Sequence, residues 1–287
     1  MSTAQAEAAG FVVPGRSRGI IDVFRFRYLL RLLVRKGILT RYHGSVLGWT
    51  WSYVKPAAQF LVFYFVFGIF LDLNRGIPAF PIYLFSGIIV INLFTEAFSN
   101  ATKSIVDNAP LVKKIYLPRE LFPAAAVIVA FVHFLPQLAI LTVVCVFVGW
   151  IPTLVGIAGI LTGALIIIVL ATGLGLLFGA VNVSFRDAQN FVELILLFAT
   201  WTSPVLYSWT MVRDVVEPWV LELYMLNPIT SAVELFHEGF WAPLVDVSDR
   251  PPMLWLNAML GLGLSLVLLF VGQLVFRRLE GRFAQDL

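Results

Sequence analysis

Six stretches of the chain, at about 46–71, 82–101, 121–148, 154–181, 190–209 and 253–276, stay apolar for roughly the ~30 Å that a helix needs to cross bilayer hydrocarbon. Nothing else in the sequence narrows the fold so far. A backbone amide finds no water in lipid, so each stretch must satisfy its peptide groups internally, as a helix. The same residues exclude an ordinary soluble domain: 60% are hydrophobic and 13% charged, more apolar surface than 287 residues can hide in one interior. The expected fold is an all-α polytopic membrane protein with six transmembrane helices spread over residues 44–276.

Charge placement sets the expected orientation. Seventeen of the twenty Lys and Arg residues precede the first span, sit at its start as Lys55, lie between spans two and three, occupy Arg186, or follow span six. Only Arg75, Arg213 and Arg250 fall on the other side. By the positive-inside rule both termini are cytoplasmic in a multi-pass protein of the plasma (inner) membrane. The net charge of +3 therefore reflects topology and implies no nucleic-acid partner. Residues 1–22 lack the apolar core of a signal peptide and are expected to be a flexible cytoplasmic tail, matched by a second tail at 277–287. The single cysteine, Cys145, allows no intrachain disulfide and argues against a metal cluster.

Residues 23–43 place Phe26, Leu29, Leu30 and Leu33 on one helical face and Arg27, Arg31 and Arg35 on another, the pattern of an amphipathic helix lying at the membrane interface. Span two carries Asn92 and Glu96, span three His133 and Gln137; such polar groups are costly in lipid and are expected to face other helices. Glu96 reads as lying toward the cytoplasmic side, which would leave His133 without a carboxylate at its own depth. Span four holds Gly175 and Gly179 at the small-xxx-small spacing of close helix packing. Between spans two and three, the loop 103–120 mixes Leu111 and Val112 with Lys113 and Lys114, suiting either a membrane surface or a cytoplasmic partner. Residues 210–252 contain two apolar runs too short to span, separated by Asn227-Pro228, and are expected to form an external re-entrant helical hairpin. Acidic residues outnumber basic ones there.

The chain lacks a phosphate-binding Gly-rich loop, a zinc-protease motif and a nucleophile elbow, and its carboxylates are scattered. No catalytic, cofactor-binding or metal site is expected, and the chain is not expected to be an enzyme. Nor is there a run of intramembrane charges of the kind that ion-driven transport uses. If it moves something, the energy comes from elsewhere.

Arg41-Tyr-His-Gly-Ser-Val-Leu-Gly-Trp-Thr-Trp-Ser-Tyr-Val-Lys-Pro56 resembles the permease subunits of type-2 ABC exporters, in the branch that exports O-antigen and teichoic-acid polysaccharides. Asn108–Pro118, Asn182–Asp187 with Thr202–Tyr207, and Leu226-Asn227-Pro228 resemble further stretches of that family in the same order. His237 departs from the family pattern, where a basic residue is the commoner type. The resemblance implies a homodimer with a conduit at its interface, served by two cytoplasmic ATP-binding subunits that carry ATP and Mg, with no cofactor in this chain. The implied function is translocation of a lipid-linked polysaccharide, of O-antigen, teichoic-acid or galactan type, out of the cytoplasm. Under it, Arg35, Lys36, Arg41 and Tyr42 form the substrate entrance, where cations suit a lipid-diphosphate head. Trp49, Trp51, Phe63, Phe67, Trp201 and Tyr207 are the conduit aromatics, offering flat platforms to sugar C–H faces. Pro110, Leu111, Lys113, Lys114, Ile115, Tyr116, Pro118 and Arg119 couple to the ATPase. The rival functions are a small-molecule or drug efflux permease of the same superfamily, a membrane-embedded enzyme acting on lipid-linked glycans, and a membrane scaffold.

Overall fold

A computed structural model describes residues 23, 25–41, 44, 48–114, 117–245 and 250–287, and every regular element among them is a helix. The expected tail at 1–22, Tyr42, Ile115 and Tyr116 lie outside the described residues, as do the side chains of Arg41 and Trp49. Helix α1 is Arg27–Arg41; α2 is Trp51–Phe63, running on as a π-helix over Tyr64–Phe70; α3 is Phe80–Asp107. A short α4, Ala109–Lys114, leads to α5, Leu121–Phe147, and α6, Leu154–Ser184. Then come α7, Ala188–Trp201; α8, Pro218–Leu226; α9, Pro228–Phe236, continued by a π-helix at His237–Trp241; and α10, Leu254–Leu279.

Among the described residues, five helices are long and apolar enough to cross a membrane: Trp51–Phe70, Phe80–Asp107, Leu121–Phe147, Leu154–Ser184 and Leu254–Arg282. The fifth expected stretch, 190–209, is helical only to Trp201, so α7 reaches about 21 Å at 1.5 Å per residue. Its end has a local cause. Pro204 has no amide hydrogen and pushes Ser203 away from helical backbone angles, while Thr202 and Ser203 turn their hydroxyls back onto Phe198 and Ala199 carbonyls. The chain continues irregularly through Pro204 and Tyr207, whose carbonyls both accept from the Tyr83 hydroxyl at 3.1 and 2.9 Å. Tyr83 sits one turn into α3, at the end of the bundle opposite Ser184. The path from Ser184 to Tyr207 thus travels from one end of the bundle to the other.

Helix α3 is the centre of the molecule, with Phe80, Phe94, Phe98 and Ala101 fully buried. Glycines let α6 lie against it and against α10. A Cβ on Gly173 would stand 2.6 Å from the Leu269 backbone nitrogen, and one on Gly179 3.3 Å from the Ala101 carbonyl, so both contacts depend on bare backbone. The expected small-residue seam is present and serves two neighbours at once. Helix α9 packs on the first turns of α6, where Gly159 and Gly163 meet the carbonyls of Leu235 and Ala232, and Gly239 meets Gly156. Pro228 packs on Gly261, seven residues and so about 10 Å into α10. The segment 218–241 is thus two short helices joined at Asn227-Pro228, α9 packed into the bundle and α8 buried only at Met225.

One expectation is overturned here. Glu96 on α3 and His133 on α5 are joined at 2.6 Å, so His133 does have a carboxylate at its depth. The two helices are antiparallel neighbours. Glu96 lies eleven residues before the end of α3 and His133 twelve after the start of α5, which puts them level.

Candidate functional site: a bare aromatic face and a coupling corner

Among the described residues, nothing covers the side of the bundle formed by α2 and α7. Leu61, Phe65, Ile69 and Phe70 project from α2 and its π-helix, and Phe191, Leu194, Leu197, Phe198 and Trp201 from α7, all exposed. An exposed apolar surface of this extent marks a place where lipid, a partner or a ligand belongs. Toward Tyr83 this face carries an aromatic ladder. Phe63 meets Phe67 edge-on at 6.0 Å between centroids, and Phe67 lies 6.4 Å from Trp201, joining α2 to α7. The Tyr207 hydroxyl donates to the Trp201 carbonyl at 2.7 Å. Four of the six aromatics expected in a conduit, Phe63, Phe67, Trp201 and Tyr207, are brought together. Trp51 is twelve residues from Phe63, about 18 Å down α2, and half-exposed on its own.

The π-helix at Tyr64–Phe70 has a packing reason as well as a sequence one. Gly68 is buried against Phe80, where a Cβ would approach the ring to 3.0 Å, and Tyr64 stacks on the same ring at 6.4 Å. Widening the turn lets α2 keep this contact with α3 while turning Phe65 and Ile69 outward.

At the opposite end of the bundle, α1, α4 and the C-terminal residues form a corner. Lys36 donates to the Asn108 side chain at 2.7 Å, and Asn108 donates in turn to the Ser104 carbonyl. Of the expected entrance residues, Lys36 is therefore fixed to the start of α4, whereas Arg35 is exposed one position away. Helix α4 shows Pro110, Lys113 and Lys114 to solvent on one face and buries Val112 on the other. Val112 joins a small separate core with Ile105, Phe122, Val183, Phe276 and Phe283, against which Leu111 packs. Pro118 is buried beside this corner, and the Arg119 guanidinium lies over the Phe283 ring at 5.6 Å. Gln273 reaches Glu120 at 3.2 Å, and Ser184 donates to Asp286. A single basic patch is thus held on a braced platform that touches α3, α5, α6 and α10.

A family model for the ABC-2 type transporter matches residues 28–241, about three-quarters of the chain. The chain belongs to the ABC-2 type transporter family. The match takes in α1 from its second residue, the corner, the bare face and the segment 218–241, stopping short of α10. Among curated relatives, the O-antigen export system permease protein RfbA of Klebsiella pneumoniae is 26% identical over 92% of this chain and 98% of its own length. The protein of the same name from Myxococcus xanthus is 27% identical over 94% and 99%. The polysialic acid transport protein KpsM of Escherichia coli is 24% identical over 86% and 92%.

Sequence reasoning missed three parts of this ABC-2 chain. Tyr83, which ties the chain after α7 to α3, reads in sequence as one more aromatic in an apolar run. Phe283, fully buried under Arg119, lies in what reads as a tail, and the only signal for it is a lone aromatic after three basic residues. The Glu96–His133 pair follows from antiparallel register alone.

Proposed function

We propose that the chain is the membrane permease of an ATP-driven exporter that carries a lipid-linked polysaccharide from the cytoplasm to the outer side of the plasma membrane. The observation that carries this reading is similarity over nearly the whole length to O-antigen export permeases. The geometry supports it. Two copies meeting through the bare α2–α7 faces would bury an apolar surface too large for a solitary helix bundle and enclose Phe63, Phe67, Trp201 and Tyr207 as weak, sequence-indifferent platforms for a sliding glycan. Arg35, Lys36, Arg41 and Tyr42 receive the anionic lipid head. Pro110, Leu111, Lys113, Lys114, Ile115, Tyr116, Pro118 and Arg119 meet one of two separate ATP-binding subunits, which bind ATP and Mg and hydrolyse the nucleotide.

In this reading the chain crosses the membrane six times with both termini in the cytoplasm, α7 and the following 202–207 together making the fifth crossing. The passage of that segment between the two ends of the bundle supports it, as does the charge asymmetry. Helix α1 lies at the cytoplasmic interface, and 210–252 is a hairpin re-entering from outside. The test is reconstitution in vesicles with the cognate ATPase: ATP-dependent translocation of lipid-linked glycan is expected. Equal transport without the ATPase, or ATPase stimulation by amphiphilic drugs and not by the glycan, contradicts it.

A further inference from the structure

At the Tyr83 end of the bundle, a cavity of about 240 Å³ opens between the loop at Gly76–Pro78, the start of the short helix Trp209–Arg213 and the limb that carries Glu234 to Ala242. That is room for about eight liquid waters, or for one sugar ring. Its chemistry is set by the π-helix at His237–Trp241. The widened turn swings His237 flat onto Tyr83, with ring centroids 3.8 Å apart, and directs its Nε2 at the Tyr83 carbonyl at 3.2 Å. A carbonyl only accepts, so Nε2 carries a proton, and in the singly protonated ring Nδ1 is the acceptor. Glu234, one turn earlier, faces that nitrogen with its Oε1 at 3.5 Å. Both side chains are more than nine-tenths buried, both line the cavity, and among the described residues neither Oε1 nor Nδ1 has a hydrogen-bond partner.

Two buried acceptors set side by side need donors, and an unmet buried acceptor costs about 1–3 kcal/mol. The cavity shows which kind of donor fits. Tyr83 and Trp241 give it apolar aromatic walls, Trp241 being held by its indole N–H on the Pro78 carbonyl at 2.6 Å. Glu238 lies on the same helix face one turn beyond Glu234, where burial pushes its carboxyl pKa up, Arg250 opposing and Glu234 adding. The Arg250 guanidinium pairs with it at 3.1 Å. A free cation would meet this guanidinium at the rim, and an anion would meet Glu234. A neutral ring with neighbouring hydroxyls meets neither obstacle, since it donates to Glu234 and His237, accepts from Arg250 and lays C–H faces on the aromatic walls.

We infer that this outer cavity is a binding site for one neutral sugar ring, with Glu234 Oε1 and His237 Nδ1 each accepting a hydroxyl proton from adjacent carbons. The identity of the ring as a unit of the exported glycan rests on the function proposed above; the site itself does not. Two copies of the chain would place two such sites near the outer mouth of the conduit, where a leaving glycan is held between steps.

The experiment is saturation-transfer NMR on the full chain assembled with its ATPase in nanodiscs, with D-galactose and D-mannose as probes and D-glucosamine and D-glucuronate as charged controls. A neutral hexose should bind with a dissociation constant on the order of 1 mM, the range open to so small a ligand. Both controls should bind at least tenfold more weakly, and Glu234→Gln should weaken the hexose at least tenfold. Arg250 is exposed at the rim, so Arg250→Ala gives a second variant that does not disturb the interior; it should weaken the hexose severalfold and improve glucosamine. No hexose signal, glucosamine preferred over galactose by the unmodified protein, or hexose binding unchanged in either variant overturns the site. Binding needs no turnover, so failure of ATP-driven export would sink the transport reading and leave this result standing.

Discussion

Helices α2 and α3 are almost equally apolar and lie side by side, yet 72% of the most apolar stretch of α3 is buried in the chain and only 11% of that of Trp51–Phe70. The difference teaches that apolar length says a helix can enter a membrane and nothing about what it touches there. Helix α3 is enclosed because its neighbours fit it, with glycines on α6, Glu96 matched to His133, and Tyr83 locking the chain after α7. Helix α2 touches α3 through Gly68 and Tyr64 on Phe80 and through Phe60 on Phe85, and turns Phe65, Ile69 and Phe70 away. One helix is enclosed by the fold; the other is left bare.

This contrast breaks in graded ways. The largest effect on the enclosed side should come from Gly173→Leu, since even a Cβ there meets the Leu269 backbone at 2.6 Å and backbone cannot step aside. Size-exclusion profiles in detergent should show loss of the monodisperse protein. On the functional side, neutralising Arg35, Lys36 and Arg41 together should abolish export while membrane insertion and ATPase assembly persist; unchanged export would return these cations to simple anchoring. Glu96→Ala strips His133 of its carboxylate and should cost about 1–3 kcal/mol, read as a lower melting temperature. The smallest stability change belongs to the bare face: Trp201→Ala should alter the melting of the isolated chain by under ~0.5 kcal/mol while export falls severalfold. A large stability loss there would mean that the bare face is part of the core.

Much of this was legible in the sequence, and the remainder was hidden for physical reasons. The positions of the long helices followed from apolar length, although α3 runs on to Asp107, because a helix need not stop where hydrocarbon does. The early end of α7 was written in Ser203-Pro204, but the aromatic run through Tyr207 masked it. The level pairing of Glu96 with His133 was also readable, once the short link between α3 and α5 is taken to make them antiparallel neighbours. What no period or composition reveals is rotation about each helix axis. Phe60 and Phe65 look alike in sequence; the first packs on Phe85 and the second is exposed. For the same reason the outer cavity could not be foreseen, since it depends on a π-turn that swings His237 by a fraction of a turn.

The most direct test of the bare face as a glycan path is site-specific photo-crosslinking during export. A photoreactive residue at Trp201 should capture the lipid-linked glycan only when the ATPase and ATP are present, and one at Val267, exposed on α10, should capture none. Capture at both positions alike, or at neither while export proceeds, would contradict the account.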